Sequence, residues 1–291
     1  MSPLSPLSTF RQIRHGGIAT TTASSLADLA VQALIDEAEL TPKPALVDRR
    51  GSGAHTDLNL DLMLLSARTL HPMFKEMAIA AADAKPSQPL RENLATIGRV
   101  GEDAMQKVTR GVNTHRGAIW TLGLLVAGAA ICRPSTDADQ IAQSASEIAQ
   151  YGDRFAPVHF SNGAYASRKF GVQGARGEAS SGFPHVIEIG LPVLRAELDR
   201  GVPEPSARLN ALMAIMADLD DTCLLHRGGA LALRTAKEGA KQVLACGGTS
   251  TPNGSSGLQE LDRQLLQLNA SPGGAADLLA ATLFLDAIWK S

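Results

Sequence analysis

The 291-residue chain has almost no segments in which β-branched residues alternate with polar ones, so a sheet has little to be built from. Its cysteines are few and odd in number, Cys132, Cys223 and Cys246, with no CxxC spacing. That argues against a structural zinc cluster or a disulfide framework, and all three read as buried thiols beside apolar helical runs. No apolar stretch reaches a membrane span without a glycine or a charge, and the basic beginning around Arg11, Arg14 and His15 has no apolar run of signal length. A cytoplasmic protein is expected. The formal net charge is only −2 and the basic residues are dispersed, which argues against a nucleic-acid footprint or a membrane-surface patch. The phosphate-loop pattern GxxxxGK[ST] is absent, and no βαβ context surrounds the glycines from Gly171 to Gly177, so P-loop and Rossmann readings fall away.

What is present is alanine and leucine recurring at three- and four-residue spacing. The pattern predicts an all-α fold: one multi-helix globular domain over residues 18–291, preceded by a mobile arm at 1–17 that contains Pro3, Pro6 and several serines. Helices are expected at Ser24 to Leu40, Asp57 to Ala82, Leu90 to Thr109, His115 to Cys132 and Thr136 to Tyr151. Further helices are expected at Glu178 to Ser180 continuing after Pro184 to Arg200, then Pro205 to Leu219, Gly229 to Ala245, Gly257 to Leu268 and Gly273 to Trp289. Two stretches read as long loops, Ala84 to Pro89 and Ala245 to Ser256.

The most informative stretch is Gly111-Val112-Asn113-Thr114-His115-Arg116-Gly117, set against the apolar segment Ala118 to Ile131. A helix N-terminus offers unpaired N–H groups and partial positive charge, and Asn113, Thr114, His115 and Arg116 add donors suited to an anion. An ordinary helix cap with a solvated histidine is the plainer alternative. Similar polar, glycine-containing clusters recur at 42–57, 171–179 and 218–229. Lys43 lies between two prolines that restrain it, and Arg49, Arg50, Arg176 and Arg227 are further candidates for phosphate groups. Near the end, Ser271 reads as the N-cap and Pro272 as the first residue of the last helix, with Gly273 and Gly274 leaving room for close approach. Asp277 then falls inside an apolar helix, where a buried carboxylate needs a partner.

Five phrases carry a resemblance. PKPALVDRRGSGAHTD at 42–57, GVNTHRGAIW at 111–120, GVQGARGEASSGFP at 171–184, DDTCLLHRGG at 220–229 and SPGGAADLLA at 271–280 resemble, in order, the triphosphoribosyl-dephospho-CoA synthases. That family makes the prosthetic-group precursor of malonate decarboxylase and citrate lyase, and the malonate decarboxylase type is preferred. The likeness spans roughly Glu37 to Ala280. Ala45 stands where the family favours glycine, Arg116 where lysine is frequent and Ala275 where serine is usual; none removes an essential group.

The resemblance implies that ATP and 3′-dephospho-CoA are the substrates. The acceptor's 2′-hydroxyl attacks C1′ of the ATP ribose, adenine leaves, and the product goes on to a transferase that modifies an acyl-carrier protein. Such a glycosyl transfer calls for a carboxylate near C1′, a base for the hydroxyl and a donor for the departing base. A triphosphate of about four negative charges also calls for Mg²⁺, cationic side chains or both.

Asp218, Asp220 and Asp221 crowd negative charge at a helix C-terminus, a conflict that a bound Mg²⁺ would relieve; the expected metal residues are Asp220, Asp221, Asp57 and Asp277. Glu178, His115, Asp221 and His55 are the catalytic candidates; the resemblance puts Glu178 and Glu37 both near the pocket, and of the two Glu178 is preferred. Lys43, Arg49, Asn113, Thr114, Arg116, Arg176, His226, Arg227 and Gly274 are expected to bind nucleotide in a central pocket of glycine-rich interhelical loops. The residues alone leave other classes open: a Mg²⁺-dependent all-α hydrolase of nucleotides or N-glycosides, or a non-enzymatic scaffold, with a homodimer equally open.

Overall fold

A computed structural model describes residues 22–156 and 161–291. Helices follow one another as α1 (Ala23–Glu39), α2 (Leu60–Thr69), α3 (His71–Ala81), α4 (Gln88–Val108), α5 (Arg116–Cys132), α6 (Ala138–Gln150), α7 (Asn162–Phe170) and α8 (Gly174–Ser180). A π-helical turn (His185–Gly190) leads into α9 (Leu191–Asp199), α10 (Glu204–Asp218), α11 (Thr222–Ala245), α12 (Pro252–Gln267) and α13 (Gly273–Lys290). The all-α expectation holds. Among the described residues β pairing is confined to an isolated antiparallel bridge between Asp48 and Gly51, and no helix is long and apolar enough to cross a membrane. The arm at 1–17 lies outside the described residues.

Two helices organise the rest because they are apolar on every side, as a fully enclosed helix must be. In α5 the buried residues run almost unbroken from Ala118 to Ala130, and in α13 from Leu278 to Asp286. They pack on each other; α1, α10 and the π-helical turn cover α13, while α3, α4 and α6 cover α5. Glycine lets the neighbours in: a Cβ at Gly123 would stand 2.7 Å from Met77 Sδ of α3, and one at Gly128 would stand 2.4 Å from the Ile141 carbonyl of α6. Leu122, Leu125, Phe74, Phe183 and Phe284 fill one continuous core. Each such side chain contributes about 1.5–3 kcal/mol by leaving water.

The structure corrects several boundaries. The expected helix Asp57 to Ala82 is two, since Asn59 caps α2 and Pro72 sits in the first turn of α3. The expected loop to Ser256 ends at Thr251, whose hydroxyl accepts from Gly254 N and starts α12. Helix α7 lies where none was expected; Ser161 caps it and left-handed Gly171 (φ 70°) closes it. Helix α11 begins not at Gly229 but at Thr222, and Gly229 (φ 65°) is its kink. Ser271 does not cap α13, which has Pro272 at that position and no side-chain cap. The three cysteines are free and only partly buried.

Candidate active site

The site is assembled where the N-termini of α5, α11 and α13 meet the end of α1 and the loop after it. His115 occupies the N-cap of α5 and is 2 % exposed, without a side-chain cap bond. Its Nδ1 is 2.8 Å from the hydroxyl of Ser66 on α2, which lies 2.6 Å from the Thr114 hydroxyl. Nε2 is buried without a hydrogen-bond partner. Burial and the nearby Lys43 charge hold the imidazole pKa down to about 4, so His115 is neutral near pH 7.

Lys43 faces inward. It is 1 % exposed, and its Nζ donates to the Glu37 carbonyl (2.6 Å) and to Glu37 Oε1 (2.5 Å) on α1. The loop that carries it is folded around buried Asp48, which accepts from Lys43 N (2.8 Å), Arg50 N (2.7 Å) and Arg50 Nε. Arg50 returns a bond to the Lys43 carbonyl, which makes it part of the loop, whereas Arg49 sits outside, paired with Glu39.

Asp277, in the first turns of α13, is approached by Gly117 of α5 so closely that a Cβ there would stand 1.9 Å from Asp277 Oδ2. Only glycine fits. The Asp277 carboxylate has no hydrogen bond or ion pair among the described residues, and part of its surface reaches solvent. Burial, together with the charges of Glu37 and Asp221, raises its pKa well above the ordinary carboxylate value.

Asp221 is also buried, but its oxygens are in use. Oδ1 accepts from Cys223 N (2.7 Å) and Leu224 N (3.4 Å), capping α11, and Oδ2 accepts from Ala275 N (3.0 Å) in α13. Burial raises its pKa against these bonds. Gly274 lies against it, a Cβ there standing 3.0 Å from Asp221 Oδ1.

At the rim, His55 Nε2 is 2.9 Å from Ser271 Oγ, and burial with the neighbouring Arg227 charge holds its pKa to about 4 despite Asp57. Arg227 donates to the Ala54 carbonyl (3.1 Å). Four of the five sequence clusters therefore meet, and the fifth joins at its edge, where Gly174 packs against Thr222.

Several expected residues point elsewhere. Glu178 accepts from His185 N (2.9 Å) and from His185 Nδ1 (2.6 Å), while His185 Nε2 lies 3.3 Å from Asp218. Burial alone would lower the His185 pKa, but these carboxylates raise it. Arg116 is paired with Glu102, and Asn113 accepts from Arg116 N. His226 and Arg176 are exposed.

The four carboxylates expected to hold metal do not form one shell. Asp57 is 60 % exposed beside His55, Asp220 is tied to Lys237 on the surface (2.6 Å), Asp221 is occupied by amides, and only Asp277 is unpartnered. Among the described residues no group of three or more His, Cys, Asp or Glu side chains is placed to hold a metal ion. Sequence reasoning does not single out His185 or Ser66; a serine inside the apolar run of α2 is the available signal for the latter.

The centre thus gathers three carboxylates, Glu37, Asp221 and Asp277, around a single ammonium, Lys43. Negative charge taken out of water without compensation is costly, and this excess suits a cationic guest or a developing positive charge. Two open depressions, of about 610 and 630 Å³, lie elsewhere, one beside Lys85 and Tyr151 and the other beside Cys132 and Glu188; neither is lined by a residue of this centre.

A family model described as ATP:dephospho-CoA triphosphoribosyl transferase matches residues 23–291. Among curated relatives, a Pseudomonas fluorescens protein is 58 % identical over 267 residues, covering 91 % of this chain and 92 % of its own length. Proteins of Azotobacter vinelandii and Stutzerimonas stutzeri are each 55 % identical, covering 91 % and 92 % of this chain and 91 % and 93 % of their own lengths. All three carry the name probable 2-(5''-triphosphoribosyl)-3'-dephosphocoenzyme-A synthase. No solved structure matches the chain.

Proposed function

From the premise that this chain belongs to the ATP:dephospho-CoA triphosphoribosyl transferase family and is a transferase, we propose that the centre around His115 and Asp277 moves the triphosphoribosyl group of ATP onto 3′-dephospho-CoA, releasing adenine. Atom balance supports the leaving group, since ATP without its triphosphoribosyl group is adenine. The bond from C1′ to the adenine nitrogen breaks, the electron pair leaves with adenine, and the acceptor's 2′-oxygen closes on C1′. The acceptor's hydroxyl proton passes to a base, and adenine takes up a proton.

The observation that carries this reading is that a partly exposed carboxylate with no partner among the described residues, Asp277, lies against Gly117, two positions along α5 from His115, whose neutral imidazole has an orphaned Nε2. A neutral imidazole can take the hydroxyl proton, and Ser66 at Nδ1 holds the ring in place. The net negative field of Glu37, Asp221 and Asp277 favours the positive charge that develops on the ribose.

The residues also fit Mg²⁺, which is held by one or two carboxylates when substrate phosphates supply the other ligands. Asp277 is the residue to hold it. Bound there, the ion would neutralise and orient the triphosphate. Arg227, at the rim, adds a cation for the phosphates. The motif resemblance further suggests that the product is the prosthetic-group precursor passed to an acyl-carrier-protein transferase, in the malonate decarboxylase system and in the cytoplasm.

The test incubates the protein with ATP and MgCl₂, with and without 3′-dephospho-CoA, and separates the products chromatographically. Adenine should appear only when both substrates and the metal are present. Adenine formed without the acceptor would mean a hydrolase, and ADP or free phosphate in place of adenine would overturn the reading.

A further inference from the structure

Arg91 of α4 is an unusual arginine. It is 7 % exposed, its Nε is buried without a hydrogen-bond partner, and its guanidinium makes no hydrogen bond or ion pair among the described residues. Its contact is the face of Trp120 on α5, 4.6 Å from the ring centroid. Two carboxylates and two guanidiniums act on it, and both carboxylates are taken by other arginines. Arg176 of α8 and Arg99 of α4 both act on it, and Asp153, the acidic neighbour closest in effect, is already engaged by Arg99 at 2.6 Å. Glu92, beside it in sequence, is bound to Arg154. Arg176 is exposed, with no side-chain hydrogen bond or ion pair among the described residues, and the Trp120 indole is pinned by donating to the Ala175 carbonyl (3.2 Å).

A buried, always-charged guanidinium without an acceptor is costly, and a planar fork of donors suits phosphate oxygens. Trp120 follows Gly117, the residue pressed against Asp277, by three positions, which is about 4.5 Å along the helix. A ligand at Arg91 is therefore adjacent to the candidate centre without being part of it.

We propose that Arg91 and Arg176, with Trp120 as the wall between them, form an anion subsite for the diphosphate of the acceptor, 3′-dephospho-CoA; this rests on the transferase reading above. On that reading the ATP triphosphate would be held by Mg²⁺ at Asp277 and by Arg227. A cationic site without a free carboxylate suits the diphosphate of a substrate that brings no metal.

Trp120 reports on the subsite directly. The chain has two tryptophans, so Trp289→Phe leaves Trp120 as the sole indole. In that background, titration with inorganic pyrophosphate should change the fluorescence saturably, and 3′-dephospho-CoA should compete. Arg176→Ala, at an exposed position that leaves the fold intact, should weaken pyrophosphate roughly tenfold or more, as loss of a charge-assisted hydrogen bond does. In turnover it should raise the KM for 3′-dephospho-CoA and leave the KM for ATP unchanged. Arg91→Lys should weaken binding likewise, because lysine lacks the fork. No fluorescence change, a change unaltered by Arg176→Ala, or competition by ATP but not by 3′-dephospho-CoA would overturn the subsite. Adenine release measured on the same sample separates the two ideas: release without a pyrophosphate signal sinks the subsite alone, and a signal without release sinks the transferase reading alone.

Discussion

At the scale of single residues, Asp277 is held by geometry and left without a partner. Replacing it with Asn removes a repelled charge while keeping the shape. Asp277→Asn should cut turnover roughly a hundredfold, the scale of a lost charge-assisted contact, without loss of stability. The pH dependence has a definite sign. A carboxyl whose folded pKa is raised stabilises the fold fully below its ordinary 3.8 and loses that contribution as pH rises through the raised value. Thermal melts without Mg²⁺ should therefore show wild type falling behind Asp277→Asn as pH increases. Unchanged turnover in the variant would remove Asp277 from the site. The sequence exposed this residue, since an acid in an apolar helix stands out. For Lys43 the flanking prolines give the restraint but not the direction, which is set by where α1 ends and places its Nζ on Glu37.

At the scale of elements, Asp221 does the work of a clasp. It caps α11 and, through Ala275 N, ties the start of α13 to it. Losing the cap costs about 0.5–2 kcal/mol and stranding a buried amide about 1–3 kcal/mol. Asp221→Ala should therefore lower the melting temperature by several degrees, measured by circular dichroism. Asp221→Asn keeps one acceptor oxygen and should lose less. A melting temperature unchanged in Asp221→Ala would show that the clasp is dispensable. From sequence Asp220 and Asp221 read as metal-binding, because neighbouring carboxylates in one cluster look alike on paper. The turn between α10 and α11 separates them: Asp220 goes to Lys237, Asp221 caps α11, and Asp218, at the end of α10, faces His185.

At the scale of the whole molecule, burial sets the acid sensitivity. His55 and His115 both have pKa values lowered from 6.5 to about 4, so both are neutral when folded. A depressed histidine pKa gives stability that is present above 6.5 and lost as pH falls toward 4. For fully enclosed His115 the change amounts to roughly 3 kcal/mol. His185, Asp221 and Asp277, with pKa values raised, oppose this: their contributions are present at low pH and fade as pH rises through the raised values. Urea denaturation at pH 4.5 should show a lower midpoint than at pH 7, and His115→Gln should shrink that difference. An equal fall in wild type and variant would mean that His115 is not held neutral.

The sequence alone determined the helical class, the apolar character of α5 and α13, and the clusters that meet at the centre, because periodicity and composition are local properties that packing does not reverse. It also carried the family, since the five phrases keep their order. Tertiary structure decided what each polar residue faces. Gly117 against Asp277 and Lys43 on Glu37 are consequences of which helices touch, as is Glu178 on His185. The boundaries that failed, at Leu70, Thr222 and Pro252, fail for the same reason: Pro and Gly mark a break or a start equally well, and the neighbouring helix selects between them.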